Sequence, residues 1–162
     1  MSATDDILAH AAAYAASFKQ SARPSAPARR VAVLACMDAR LNPFALLGLA
    51  EGDAHIIRNA GGVVTDDAIR SLAISQRLLG TEEIILIHHT DCGMQTFTDD
   101  EFKRSLREEV GVEPAWAVET FSDLDESVRQ SIARIHSSLF IPRKSVRGFV
   151  YDVHTGALRE VS

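Results

Sequence analysis

Two short segments of this 162-residue chain carry side chains that could do chemistry together, "ACMDAR" (35–40) and "IHHTDCG" (87–93). The first holds Cys36, Asp38 and Arg40. The second holds two adjacent histidines, His88 and His89, followed by Cys92. Two thiolates and an imidazole suit zinc rather than magnesium or calcium, and three protein ligands leave a fourth position open, as catalytic zinc sites do. Asp38 and Arg40 lie two positions apart, which on extended backbone puts both on one face. An arginine can grip a carboxylate there through two parallel hydrogen bonds. Held by Arg40, Asp38 can accept a proton or hydrogen bond from a metal-activated water. Released, it is an oxygen ligand able to close the fourth position. Neighbours on a strand point to opposite faces, so both histidines are not expected at one metal.

Each signal is weak alone. Cysteines are among the most buried residues whatever their role, and an Asp–Arg pair is commonly a loop salt bridge. The combination has meaning only if the fold brings the two segments together.

The surrounding pattern predicts that it does. "VAVLAC" (31–36), "AHIIR" (54–58), "EIILIHH" (83–89) and "SVRGFVYDV" (145–153) read as buried strands. "HTG" then turns the chain into "ALREV", an antiparallel edge. Helices fall between them. One is a short turn over 42–48, with Asn42 as cap, Pro43 first and Gly48 as stop. A clear helix covers 65–80, with Thr65 as cap, Gly80 as stop and Ile69, Leu72, Leu78 and Leu79 as its apolar face. Polar helices follow at 99–109 and 123–136, the latter starting near Ser122 and Glu126. This alternation implies an α/β fold, a mostly parallel sheet of four strands plus the antiparallel edge, with helices on both faces. Ligands of such sheets bind beyond the carboxyl ends of the strands, where strand order reverses. Three strands end in polar clusters there, "ACMDARLN", "IRNAGGVVT" and "IHHTDCGM".

One domain over 1–162 is expected, with a helical arm (1–20, capped by Thr4, with Lys19 near its end), a Pro/Ser/Arg linker (21–30) and the body (31–162). The formal charge of −5 argues against nucleic acid or an anionic membrane as main partner. No apolar run approaches the roughly 18 residues of a spanning helix. The start is acidic rather than basic, so a cytoplasmic location is expected. Two lone cysteines in a reducing compartment read as thiols or ligands rather than a disulfide. Phosphate-loop, dinucleotide, nucleophile-elbow and His-Glu-x-x-His signatures are absent from the sequence.

At "CMDAR" (36–40), "IIRNAGG" (56–62) and "HTDCG" (89–93) the sequence resembles the β-class carbonic anhydrases, in particular their compact bacterial and archaeal members. The resemblance implies one zinc per chain held by Cys36, His89 and Cys92, with Asp38 and Arg40 as the catalytic pair and Asp38 a fourth ligand only in a closed state. It implies reversible hydration of CO2 to bicarbonate and a proton, and a homodimer or tetramer whose N-terminal helix wraps the neighbour. "AGGVV" (60–64) is expected to give close backbone approach and an apolar wall. His88 is expected to pack or hydrogen-bond beneath the sheet's end. Rival readings are a carbonyl sulfide hydrolase on the same site, a non-catalytic zinc-stabilised module, and a Cys36–Cys92 redox pair.

Overall fold

The computed structural model describes residues 2–19 and 23–162. The first two positions of the expected linker, 21 and 22, lie outside the described residues. The apolar runs form five strands: β1 (Val31–Cys36), β2 (Ala54–Asn59), β3 (Glu83–His89), β4 (Ser145–Tyr151) and β5 (Leu158–Val161). They make one sheet in the order β2-β1-β3-β4-β5, parallel except for the β4–β5 pair. The α/β architecture expected from the alternating pattern is therefore present. β1 lies between β2 and β3, so the ends of all three open on one crevice. β4 stops at Tyr151, because Asp152 turns the chain by accepting from the backbone N–H of His154 and of Thr155.

Five α-helices accompany the sheet among the described residues: α1 (Ala3–Ser17), α2 (Pro43–Leu47), α3 (Asp66–Leu79), α4 (Asp99–Val110) and α5 (Leu124–Ser137). Strand alternation sorts the core into two faces. Ala32 and Leu34 of β1 and Ile84 and Leu86 of β3 pack with Leu72 of α3 and Ile135 of α5. Val33, Ala35 and Ile87 point the other way, toward Leu46 and Leu47 of α2. Fully burying a leucine or isoleucine in either layer contributes about 1.5–3 kcal/mol.

Local details differ from the sequence reading where two cap residues compete. α1 is capped by Ser2, not Thr4. Ser2 and Asp5 satisfy each other's backbone N–H in a capping box, which leaves Thr4 inside the first turn and Lys19 beyond the helix. α5 is capped by Asp123, not Ser122, through the Glu126 N–H. On α3, Leu78 faces solvent (76% exposed), and the buried face runs through Ala68, Leu72, Ser75 and Gln76. Those two polar residues find partners. Ser75 bonds to His55 and Thr81, and Gln76 bonds both backbone groups of Arg143.

Candidate metal centre and active site

β1 delivers Cys36 to the crevice, and Arg58 of β2 shapes the turn that follows. The Arg58 guanidinium donates to the carbonyls of Cys36 (3.0 and 2.7 Å) and Asp38 (2.7 Å). The "AGG" segment crosses immediately below. Gly62 adopts φ +68°, and a Cβ there would lie 2.7 Å from the Cys36 nitrogen and 2.8 Å from the Ile87 carbonyl oxygen. Only glycine fits, so the expected close approach is present. Of the segment expected to form an apolar wall, Ala60 and Gly61 line the site cavity, whereas Val64 packs into the core under α3.

At the end of β3 the two histidines separate. The Nδ1 of His89 lies 2.8 Å from the Thr90 carbonyl, so it carries the proton and donates. Its Nε2 is buried and without a hydrogen-bond partner, and in the neutral ring it carries the free lone pair. That atom and the sulfurs of Cys36 and Cys92 all lie within 4.8 Å of one another, and all three residues are buried. An orphaned imidazole nitrogen facing two thiols fits a soft cation. Contact between the two sulfurs lowers the pKa of the Cys36 thiol and raises that of Cys92, so the first of the two to ionise is Cys36.

His88 turns to the opposite side. Its ring is fully buried, stacks on Phe121 at 5.5 Å between centroids, and places Nε2 3.2 Å from the Gly62 carbonyl. It is a packing residue under the strand end, as expected.

Asp38 lies at the edge of the donor cluster, with Oδ2 3.7 Å from His89 Nε2. Arg40 grips it from the side: Nε donates to Oδ1 at 3.0 Å and Nη2 to Oδ2 at 2.8 Å, with the Arg40 backbone N–H adding a third bond at 2.8 Å. These bonds hold the Asp38 carboxyl well below the usual carboxylate range. Arg40 also reaches Asp91, a residue that the sequence pattern does not single out. A cavity of about 590 Å³ opens over the cluster. Its outer wall is apolar, built from Met94, Phe97, Phe102, Trp116 and Val118.

The chain is similar to known proteins. The carbonic anhydrase family model matches residues 31–158. Beta-carbonic anhydrase 1 of Mycobacterium tuberculosis is 58% identical over 163 residues, covering 100% of this chain and 99% of that protein. The chain belongs to the β-carbonic anhydrase family. A solved carbonic anhydrase from Streptococcus mutans superposes on this β-carbonic anhydrase with a TM-score of 0.92 at 48% identity, covering 100% of this chain and 99% of that one. A carbon disulfide hydrolase of Saccharolobus solfataricus is 37% identical, covering 82% of this chain and 77% of that protein.

Several site residues of this β-carbonic anhydrase escape a reading of the sequence. Arg58 sits within "IIRNAGG", yet no local signal says that its guanidinium turns back to β1. The cavity wall comes partly from residues 111–122, which carry no motif. That segment is pinned by Asp99, whose carboxylate accepts from the backbone N–H of Glu119 (3.2 Å) and Thr120 (2.9 Å). Arg134 of α5 adds an ion pair to Glu119 at 2.7 Å.

Proposed function

We propose that the chain, folded as one domain with a helical arm, is a zinc lyase that reversibly hydrates CO2 to bicarbonate and a proton, with one zinc per chain on Cys36, His89 and Cys92. The observation that carries the site assignment is the buried, unpartnered His89 Nε2 facing two buried cysteines, with an arginine-held carboxylate beside it. Zinc, when bound, supplies a positive charge that makes a water deprotonatable near neutral pH. Two thiolates cancel that charge formally, so neighbouring residues must assist. Asp38 is placed to accept a hydrogen bond from the reacting water and orient it, while Arg40 keeps the carboxylate ionised and off the metal. Released by Arg40, Asp38 would offer the metal a fourth ligand and close the site. His89 is held in the required tautomer by Thr90. The apolar wall receives an uncharged linear substrate and offers bicarbonate no partner, which favours its release.

The same reading includes a homodimer or tetramer. α1 buries none of its own residues; Ile7, Leu8 and Tyr14 are exposed along it, as is Phe18 at its C-cap. Such a helix is suited to the apolar surface of a second copy. Two buried free thiols serving as ligands accord with a reducing, cytoplasmic location.

Carbonyl sulfide or carbon disulfide as main substrate is favoured by one observation, a cavity far roomier than CO2 requires. The 58% identity to a carbonic anhydrase against 37% to a carbon disulfide hydrolase decides for CO2. Purified zinc-loaded protein assayed side by side on CO2, carbonyl sulfide and carbon disulfide tests this. Turnover of CO2 is expected to dominate; sulfur-gas hydrolysis with negligible CO2 hydration overturns the proposal.

A further inference from the structure

The grip of Arg40 on Asp38 has a weakness. The two residues sit on one short loop, so the pair could swing toward the metal centre as a unit. A restraint relative to the ligands must come from elsewhere, and the second edge of the Arg40 guanidinium supplies it. Nη1 donates to the Asp91 carboxylate Oδ2 at 2.7 Å, and Nη2 donates to the Asp91 carbonyl at 3.0 Å. Four of the five guanidinium N–H bonds are thereby used, two on each aspartate. Asp91 lies between His89 and Cys92, so this tie references Arg40 to the ligand-bearing segment itself. The backbone accommodates it at a cost. Asp91 adopts φ +54°, a left-handed conformation that side chains other than glycine rarely take. That turn presents its carbonyl and its carboxylate to Arg40 together.

We infer that Asp91 is a positioning residue that clamps Arg40 from the side opposite Asp38 and so keeps Asp38 off the metal centre. The inference rests on the metal site proposed above. Arg40 and Asp91 have half-exposed side chains (45% and 65%), so neither contact alone would hold a long flexible side chain in place. Clamped on both edges, the guanidinium keeps one position. Released on the Asp91 side, Arg40 can follow Asp38 across the short gap to the donor cluster.

Cobalt-substituted protein and azide titration at one fixed alkaline pH test this, since azide shifts the visible spectrum only where it can enter the fourth position. Asp91→Gly removes the carboxylate while suiting the left-handed turn. It is expected to weaken azide binding about tenfold, as the open state falls to about a tenth of molecules. Removing a negative charge near the site would by itself strengthen anion binding, so the expected change has the opposite sign to direct electrostatics. In an Asp38→Ala background the same Asp91→Gly change is expected to produce no weakening. Equal or tighter azide binding in Asp91→Gly, or a weakening that persists without Asp38, overturns the inference. The two proposals are read separately. Failure of the parent to take up cobalt overturns the metal site and the inference with it, whereas normal uptake with unmoved azide affinity overturns the role of Asp91 alone. The thiolate-to-cobalt absorption band reports folding and metal retention in every variant.

Discussion

His88 and His89 are adjacent in sequence and opposite in chemistry. His89 keeps a bare nitrogen toward two sulfurs, while His88 is sealed between the Gly62 carbonyl and Phe121. Burial lowers the pKa of His88 from an ordinary 6.5 to about 4. The unfolded chain therefore takes up a proton near pH 6.5 that the folded chain refuses until about pH 4. Stability is complete above the higher value and falls as pH drops toward the lower one, by up to about 3 kcal/mol from this residue. Urea unfolding of metal-free protein across that range should show the slope, and His88→Gln should flatten it. At this scale much is readable in the sequence. Cys36, Asp38, Arg40, His89 and Cys92 stand out by type and spacing, and the fold brings all five together. Asp91 and Arg58 do not, because a carboxylate or a guanidinium carries no local mark of the partner it meets across a loop.

Among the elements, the turn after β2 matters most to the site, since it crosses directly beneath the paired ends of β1 and β3. Two glycines with similar backbone angles separate conformation from space. At Gly80, φ +75°, a Cβ would have no neighbour within 4 Å, whereas at Gly62, φ +68°, it would run into backbone on both neighbouring strands. Gly80→Ala should cost about 1 kcal/mol from the left-handed angle alone. Gly62→Ala should cost about 3 kcal/mol or more and lower metal content too, because the strand ends must move apart. Chemical unfolding and metal analysis of both variants check the contrast. A second element-scale expectation concerns Asp99, which anchors the segment bearing Trp116 and Val118. Asp99→Ala should loosen that wall and raise KM severalfold while metal content is unchanged, measured by gas-hydration kinetics. Strand limits are legible because buried parallel strands are short continuous apolar runs. Caps are legible only to within two residues, because Ser2 and Thr4, or Ser122 and Asp123, are equivalent by type, and the bond to Asp5 or Glu126 decides.

At the scale of the molecule, the body of the chain buries two apolar layers around the sheet, while α1 buries none of its residues and meets the body through a Tyr14–Glu51 hydrogen bond of 2.7 Å. A helix of this kind contributes little to the stability of its own chain, so its apolar side chains are available to a second copy. Deleting residues 1–19 should leave a body that still unfolds cooperatively, but should weaken self-association about tenfold or more. Sedimentation velocity over a concentration series measures this. An unchanged assembly would remove α1 from the interface.

By itself the sequence determined the strands, the main helices and the set of possible ligands. Those depend on local rules: runs of apolar residues, cap chemistry, and the alternation of side chains along extended backbone. Only the tertiary structure decided which histidine nitrogen is free, which second carboxylate clamps Arg40, and which residues wall the cavity. Each of those is a contact that the local pattern leaves open. The order β2-β1-β3 creates them by bringing three strand ends to one crevice, and nothing in the separate segments encodes which side chains then come within hydrogen-bond distance.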